Sequence, residues 1–386
     1  MPPFSDLDDS RMRILFCSQT HLTTELGASK VLIELAEEME LLGWECTLVS
    51  PYHVAPHLSN EQDYPEHLRR YLIEHAGDYD VVDYDHHHLP FPRSEFPNRT
   101  LFVARSVLLW RHFLKISIPL ERNLKSRLRS LVNARTQAKK KEAGRRSAST
   151  TVSESDLINV LNYDDRVALI EIGIPQEKIA VIPNGLSRLN RQLFDAISST
   201  STRDPKVAFV GTFDNRKGAT DFPQIVEAVC QAIPAASFRL LGTGRDEETV
   251  LGMFPRRMRS AIEVVPRYSP SELPGLLAPC SVGVFPSYIE GFGLGVLEML
   301  AAGIPVVAYD SPGPPMMLPQ EYLVPAGNTK ALSDKVAGLL HNKDWLAAAR
   351  AWAKGRAQDF CWHRIAKETS AIYQEHWKKR QIKLSA

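Results

Sequence analysis

Residues 288–307 read YIEGFGLGVLEMLAAGIPVV, and the reading of this stretch decides the fold. A glycine-interrupted loop, Glu290-Gly291-Phe292-Gly293, runs into an apolar helical segment ending at Ala302. Gly303, Pro305 and the β-branched pair Val306-Val307 follow. A glycine-rich turn that opens a helix presents free backbone N–H groups and the positive end of a helix dipole, which suit a phosphate. Glu290 stands before the helix and Glu298 inside it. A carboxylate at Glu298 can accept hydrogen bonds from hydroxyls such as those of a ribose. Together these parts predict a grip for a nucleoside diphosphate. The bland alternative is a plain αβ unit with a flexible glycine turn.

Outward from this stretch, apolar strands alternate with helical spacing. In the first half, residues 13–17 read as a strand, followed by helical spacing at Val31, Leu32, Leu35, Met39 and Leu42 and a second strand at 46–49. Residues 79–82 and 100–104 are expected to be parallel strands, and 149–153 and 179–182 to close this half. The pattern restarts with strands at 206–210, 237–241, 262–265, 282–285 and 305–308 and a helix over 221–232. Such alternation predicts α/β architecture: two doubly wound, Rossmann-like domains, residues 1–186 and 187–360, facing an interdomain cleft. The hinge is expected within 183–204, rich in Ser, Thr and Asn. Residues 345–377 read as one amphipathic helix, and 361–386 is expected to cross back to the first domain.

Composition narrows the class. The chain has 386 residues and a formal net charge of +1, so bulk charge names no partner. Its five cysteines are scattered and form no Cys-x-x-Cys pair, which speaks against a disulfide framework or zinc ribbon and for a reducing, cytoplasmic setting. No apolar run approaches the ~20 residues of a membrane span. The first residues lack the apolar core of a secretory signal. Residues 122–146 are strongly basic with interleaved leucines. They read either as a solvated helix face or as a peripheral contact with anionic lipid at the inner face of a membrane. Aromatics to stack on bases are missing from this run, so nucleic acid is not an expected partner. His86, His87 and His88 lack the i, i+4 spacing that puts ligands on one helix face, so a polar loop is expected and no metal.

The loop 210–218, VGTFDNRKG, follows a strand and carries Arg216 and Lys217. Cations there would neutralise a diphosphate whose charge grows as it departs, which helps most in the transition state. The alternative is a pair of solvated surface cations.

The second half resembles the retaining GT-B glycosyltransferases of family 4, the group 1 type. The likeness rests on residues 181–185 (VIPNG), 209–211 with 216–218, 240–244 and above all 290–307. Residues 360–373 resemble the family's closing helix, and 13–49 and 152–154 carry a thinner match in the first half. The resemblance implies a metal-independent hexosyltransferase, without a cofactor, that takes a nucleotide-diphosphate sugar. The acceptor would be a carbohydrate, small molecule or lipid.

It also implies roles. Glu290 would contact the donor sugar, and the backbone of Gly291, Phe292, Gly293 and Leu294 the diphosphate. Glu298 would bind the ribose, and Lys217 with Arg216 would stabilise the leaving phosphate. Gly27 would line the opposite wall, Gly211 and Thr212 the donor loop, and Arg267 and Tyr268 the base. Arg105, Ser106 and His86 would face the acceptor. Three positions depart from the family pattern. Thr212 stands where many members have arginine, residues 103–106 (VARS) lack the usual histidine, and 314–317 (PPMM) lack the usual acid. These departures keep open a non-catalytic protein of the same fold that binds a nucleotide sugar or a partner. A phosphorylase or epimerase of this shape and a basic adaptor are further alternatives.

Overall fold

The computed structural model describes residues 11–23, 27–58, 60, 63–119, 139, 141–196 and 204–385. Two six-stranded sheets, parallel throughout, form its frame. The first holds β1 (Arg13–Cys17), β2 (Glu45–Val49), β3 (Val81–Asp85), β4 (Leu101–Arg105), β5 (Leu157–Val160) and β6 (Ile179–Val181), in spatial order β2-β1-β3-β4-β5-β6. The second holds β7 (Lys206–Val210), β8 (Ser237–Leu241), β9 (Ile262–Val265), β10 (Val282–Phe285), β11 (Val306–Asp310) and β12 (Leu323–Pro325), in order β12-β11-β10-β7-β8-β9. Strands such as RILFC and VGVF are apolar on both faces because helices cover both sides of each sheet, which is what a parallel sheet requires.

In each sheet the order of strands reverses once, between β1 and β3 and between β7 and β10. At such a point the loops after neighbouring strands diverge and leave a crevice at the carboxyl edge.

Several expected boundaries moved. Residues 149–153 are helical, part of a helix through 141–154, and the strand follows at β5. Ala148, Thr151 and Val152, three and four residues apart, are buried positions of that helix, and Ser149, Thr150 and Ser153 are on its outer face. The strand expected at 79–82 runs instead over Val81–Asp85, because the carboxylate of Asp83 is neutralised inside the fold: its Oδ1 accepts from Arg105 Nε at 2.7 Å. The hinge region contains a helix, Arg188–Asp195, capped by the Ser187 hydroxyl.

The single helix expected at 345–377 is two, Lys343–Ala357 and Trp362–Ser385. Between them the chain straightens to pair with Leu186, whose N–H donates to Phe360 O at 2.9 Å. The first helix packs on the second sheet's core through Ala349 and Ala353. The last helix buries Trp362, Ile365, Ala366 and Tyr373 in the core of the first. Among the described residues no helix is long and apolar enough to cross a membrane. Most of the basic stretch 122–146 lies outside them.

Candidate active site at the reversal of the second sheet

The loops after β7 and β10 meet at this reversal. Tyr288 N–H donates to Arg216 O at 2.8 Å, and Gly218 lies so close to Pro286 that a Cβ there would stand 2.2 Å from its carbonyl oxygen. Gly218 also has φ +80°, so only glycine fits without strain. The Asp214 carboxylate turns the first loop by accepting from Lys217 N–H at 3.1 Å. That turn aims Arg216 and Lys217 at one partner. Glu290 Oε1 accepts from Arg216 Nη1 at 2.9 Å and pairs with Lys217 Nζ at 2.7 Å. Two cations thus converge on one buried carboxylate. Gly211 completes this corner, since a Cβ there would lie 3.6 Å from Lys217 Nζ.

Gly293 takes a left-handed conformation, φ +92° and ψ +58°, and heads the Leu294–Ala301 helix with no side chain to cap its first amides. Phe292 turns its ring into the core against Phe360 and leaves its backbone to the loop. Support comes from behind: the buried Asp221 Oδ2 accepts from both Tyr288 and Tyr309 hydroxyls, at 2.7 and 2.6 Å.

The loop faces the first sheet's half. Gly291 O accepts from Asn162 Nδ2 at 2.5 Å, and a Cβ on Gly291 would stand 1.9 Å from Val107 O. Asn162 is held in turn: its Oδ1 accepts from Asp165 N at 2.7 Å, and Asp165 Oδ1 lies 2.6 Å from His112 Nε2.

Glu298 lies further along the Leu294–Ala301 helix, half-buried. Burial pushes its carboxyl up from 4.5 to about 7, with Lys30 opposing and Glu34 reinforcing the shift from the facing Gly27–Glu40 helix. Tyr268 packs beneath Gly242, where a Cβ would meet its ring at 3.1 Å, and burial followed by the nearby Glu298 charge pushes its hydroxyl upward. Arg267 is exposed beside it. Gly27 opens the helix that faces Glu298.

The structure therefore brings together Arg216, Lys217, Glu290 and Gly211 in one corner and Glu298 and Tyr268 in another. Thr212 is turned to local use, its hydroxyl donating to Asp214 Oδ2 at 2.7 Å. Arg105 is committed to Asp83, whose other oxygen accepts from the Tyr373 hydroxyl at 2.7 Å. His86 and Ser106 lie at the ends of β3 and β4, with His86 N–H donating to Arg105 O at 3.1 Å.

Buried polar atoms normally find partners. Among the described residues several near these strand ends have none: both His86 ring nitrogens, Ser106 Oγ, Ser287 Oγ and, in the helix Tyr163–Ile170, Asp165 Oδ2. Sequence reasoning missed Asn162 and Asp214. Each sits where an Asn or Asp caps a turn, a legible signal, but the contact of Asn162 with Gly291 spans 129 residues and has none.

Residues 204–342 match the family model described as glycosyl transferases group 1. An uncharacterized glycosyltransferase of Methanocaldococcus jannaschii is 27% identical over 172 residues, 43% of this chain and 47% of that protein. O-antigen chain mannosyltransferase B of Escherichia coli is 33% identical over 108 residues, 28% of either chain. A D-inositol 3-phosphate glycosyltransferase of Salinispora tropica is 27% identical over 266 residues, 63% of this chain and 53% of the relative. The chain thus spans about half, or less, of these curated relatives.

Among solved structures, sucrose-phosphate synthase from Thermosynechococcus elongatus superposes with TM-score 0.70 at 18% identity, covering 96% of this chain and 100% of the other. HepE of Anabaena, in complex with UDP and glucose, gives 0.64 at 17%, covering 95% and 100%. The chain has the GT-B architecture of two facing doubly wound α/β units.

Proposed function

We propose that the chain is a retaining glycosyltransferase that moves a sugar from a nucleotide-diphosphate donor to an acceptor hydroxyl. Residues 187–360 would hold the donor, 1–186 the acceptor, and 361–386 would tie the second unit back to the first. The observation that carries this reading is the Glu290 corner: one carboxylate between Arg216 and Lys217, beside an uncapped helix start, at the sheet reversal and facing the other half. Paired cations and free amides suit a diphosphate, and a carboxylate suits the hydroxyls of the attached sugar.

In the proposed reaction the bond from the anomeric carbon to the phosphate oxygen loosens first. Lys217 and Arg216 meet the charge that grows on the departing oxygen. The acceptor oxygen bonds to the same face of that carbon, and its proton passes to the departing phosphate. Fixed positive charge that needs no reorganisation lowers the barrier more than it tightens ground-state binding.

Names of similar proteins support this reading in kind: they include a mannosyltransferase and a structure bound to UDP-glucose. The test is a panel of nucleotide sugars, UDP-glucose included, scored by thermal shift and by slow release of free nucleoside diphosphate. A donor in excess should raise the melting temperature, because it binds only the folded state. It should also leak slowly to water. No stabilisation by any donor would overturn the reading. Stabilisation without leakage or transfer would leave a nucleotide-sugar-binding protein.

A further inference from the structure

Asp85, His86 and His87 form the turn that ends β3, beside the reversal of the first sheet. Each presents one ligand atom, and these lie within 4.8 Å of one another. His87 Nδ1 is 3.1 Å from Asp85 Oδ1, and His86 Nδ1 is 3.7 Å from Asp85 Oδ2. Donors held at about 2.0–2.2 Å around a tetrahedral zinc ion stand roughly 3.3–3.6 Å apart.

Two independent observations point to a ligand. His86 is 1% exposed, and among the described residues neither of its ring nitrogens has a hydrogen-bond partner. Asp85 is 3% exposed, and among the described residues no lysine or arginine forms an ion pair with it; its close ionic neighbours are His86, His87 and His88. The arginine on the adjacent strand, Arg105, is bonded to Asp83 instead. A buried carboxylate needs a counter-charge or a metal. The missing i, i+4 spacing has no bearing here, because the three residues follow a strand and a tight turn gathers them.

We propose that Asp85, His86 and His87 bind one divalent transition-metal ion of the zinc class. Two imidazole nitrogens and a carboxylate suit zinc, cobalt or nickel better than the oxygen-seeking calcium and magnesium. Three protein donors leave a fourth position for water or a substrate oxygen. The site lies on the first sheet, whereas Arg216 and Lys217 belong to the second, so it does not duplicate their role. It also stands whether or not the chain transfers sugars.

The full-length chain, free of any histidine tag, is stripped with chelator and dialysed against Zn²⁺ alone. About one equivalent should remain bound. Co²⁺ in its place should give visible absorption bands and quench the fluorescence of Trp110, which stacks on His86 with ring centroids 5.8 Å apart. His86→Gln and His87→Gln should each weaken zinc binding roughly tenfold or more, since even outer partners of metal ligands cost that much. The His87 side chain is 34% exposed, so His87→Gln tests the site if the buried His86→Gln fails to fold. Retention of much less than one equivalent by the wild type would overturn the proposal. So would unchanged zinc affinity in a His87→Gln protein that melts like wild type.

Discussion

A single oxygen, Glu290 Oε1, serves both Arg216 and Lys217. A diphosphate arriving at this corner would compete for the two cations, and a sugar hydroxyl for the carboxylate. Lys217→Ala should therefore lower kcat by roughly 10²–10³ and donor affinity far less, the pattern of a group that acts on charge developing in the transition state. Steady-state kcat and KM check this, and equal losses in both would reduce Lys217 to a positional role.

Glu298 gives a pH prediction. Its carboxyl is raised from 4.5 to about 7 in the folded chain, so the folded state holds a proton that the unfolded state releases. Its contribution to stability falls as pH rises from about 4.5 through 7. Ribose hydroxyls need the ionised acceptor, so donor affinity should move the opposite way and rise through pH 7. Calorimetric titration of a donor between pH 5.5 and 8.5 should show this rise, and Glu298→Gln should flatten it. A profile unaltered by that substitution would remove the ribose role. Glu298→Ala should weaken donor binding by about 1.5–3 kcal/mol, the worth of hydrogen bonds to a charged group.

Between residue and molecule stand the loops and strands, and here the sequence was unevenly legible. The run from Glu290 to Val307 could be read because its glycines and its helix are consecutive: Gly293 with φ +92° opens the helix and Gly303 with φ +67° closes it. Strands such as Val282–Phe285 and Ser237–Leu241 were plain because short apolar runs between turn residues have few other uses. The strand end at Asp83 and Asp85 was hidden, since two buried acids contradict the apolar pattern until their distant partners are known. The helical 149–153 segment was hidden too, because its β-branched residues imitate a strand.

The clamp on Gly291 belongs to this scale. Its parts, Val107, Asn162 and the loop itself, come from three elements whose adjacency only the fold supplies. Asn162→Ala removes the hydrogen bond to Gly291 O, and Gly291→Ala forces a methyl against Val107 O. Asn162→Ala should leave donor binding nearly intact, because Asn162 lies outside the loop proposed to hold the donor. Both substitutions should cut turnover by roughly tenfold or more, since small displacements between reacting groups are costly. Wild-type turnover in Gly291→Ala would show that this contact is no part of the productive arrangement.

At the scale of the molecule, the chain order and the packing order differ. The last helix follows the second sheet in sequence, yet its Trp362, Ile365, Ala366 and Tyr373 complete the core of the first. Its polar contacts agree: Trp362 Nε1 donates to Glu34 Oε2 at 2.7 Å, and Arg380 Nη1 to Asp156 Oδ1 at 2.5 Å. Tyr373 reaches furthest, its hydroxyl donating to Asp83 Oδ2 beneath the Asp83–Arg105 pair. Tyr373→Phe keeps the ring and removes only that donor, which leaves a buried carboxylate oxygen short of a partner at a cost of about 1–3 kcal/mol. The loss should be felt where Asp83 sits. Hydrogen exchange should quicken in β3 and β4 while β7 and β10 keep their protection, as expected when local opening follows packing rather than sequence. Equal loss of protection in both sheets would mean that the two units open as one, and that the last helix transmits stability between them instead of serving the first alone.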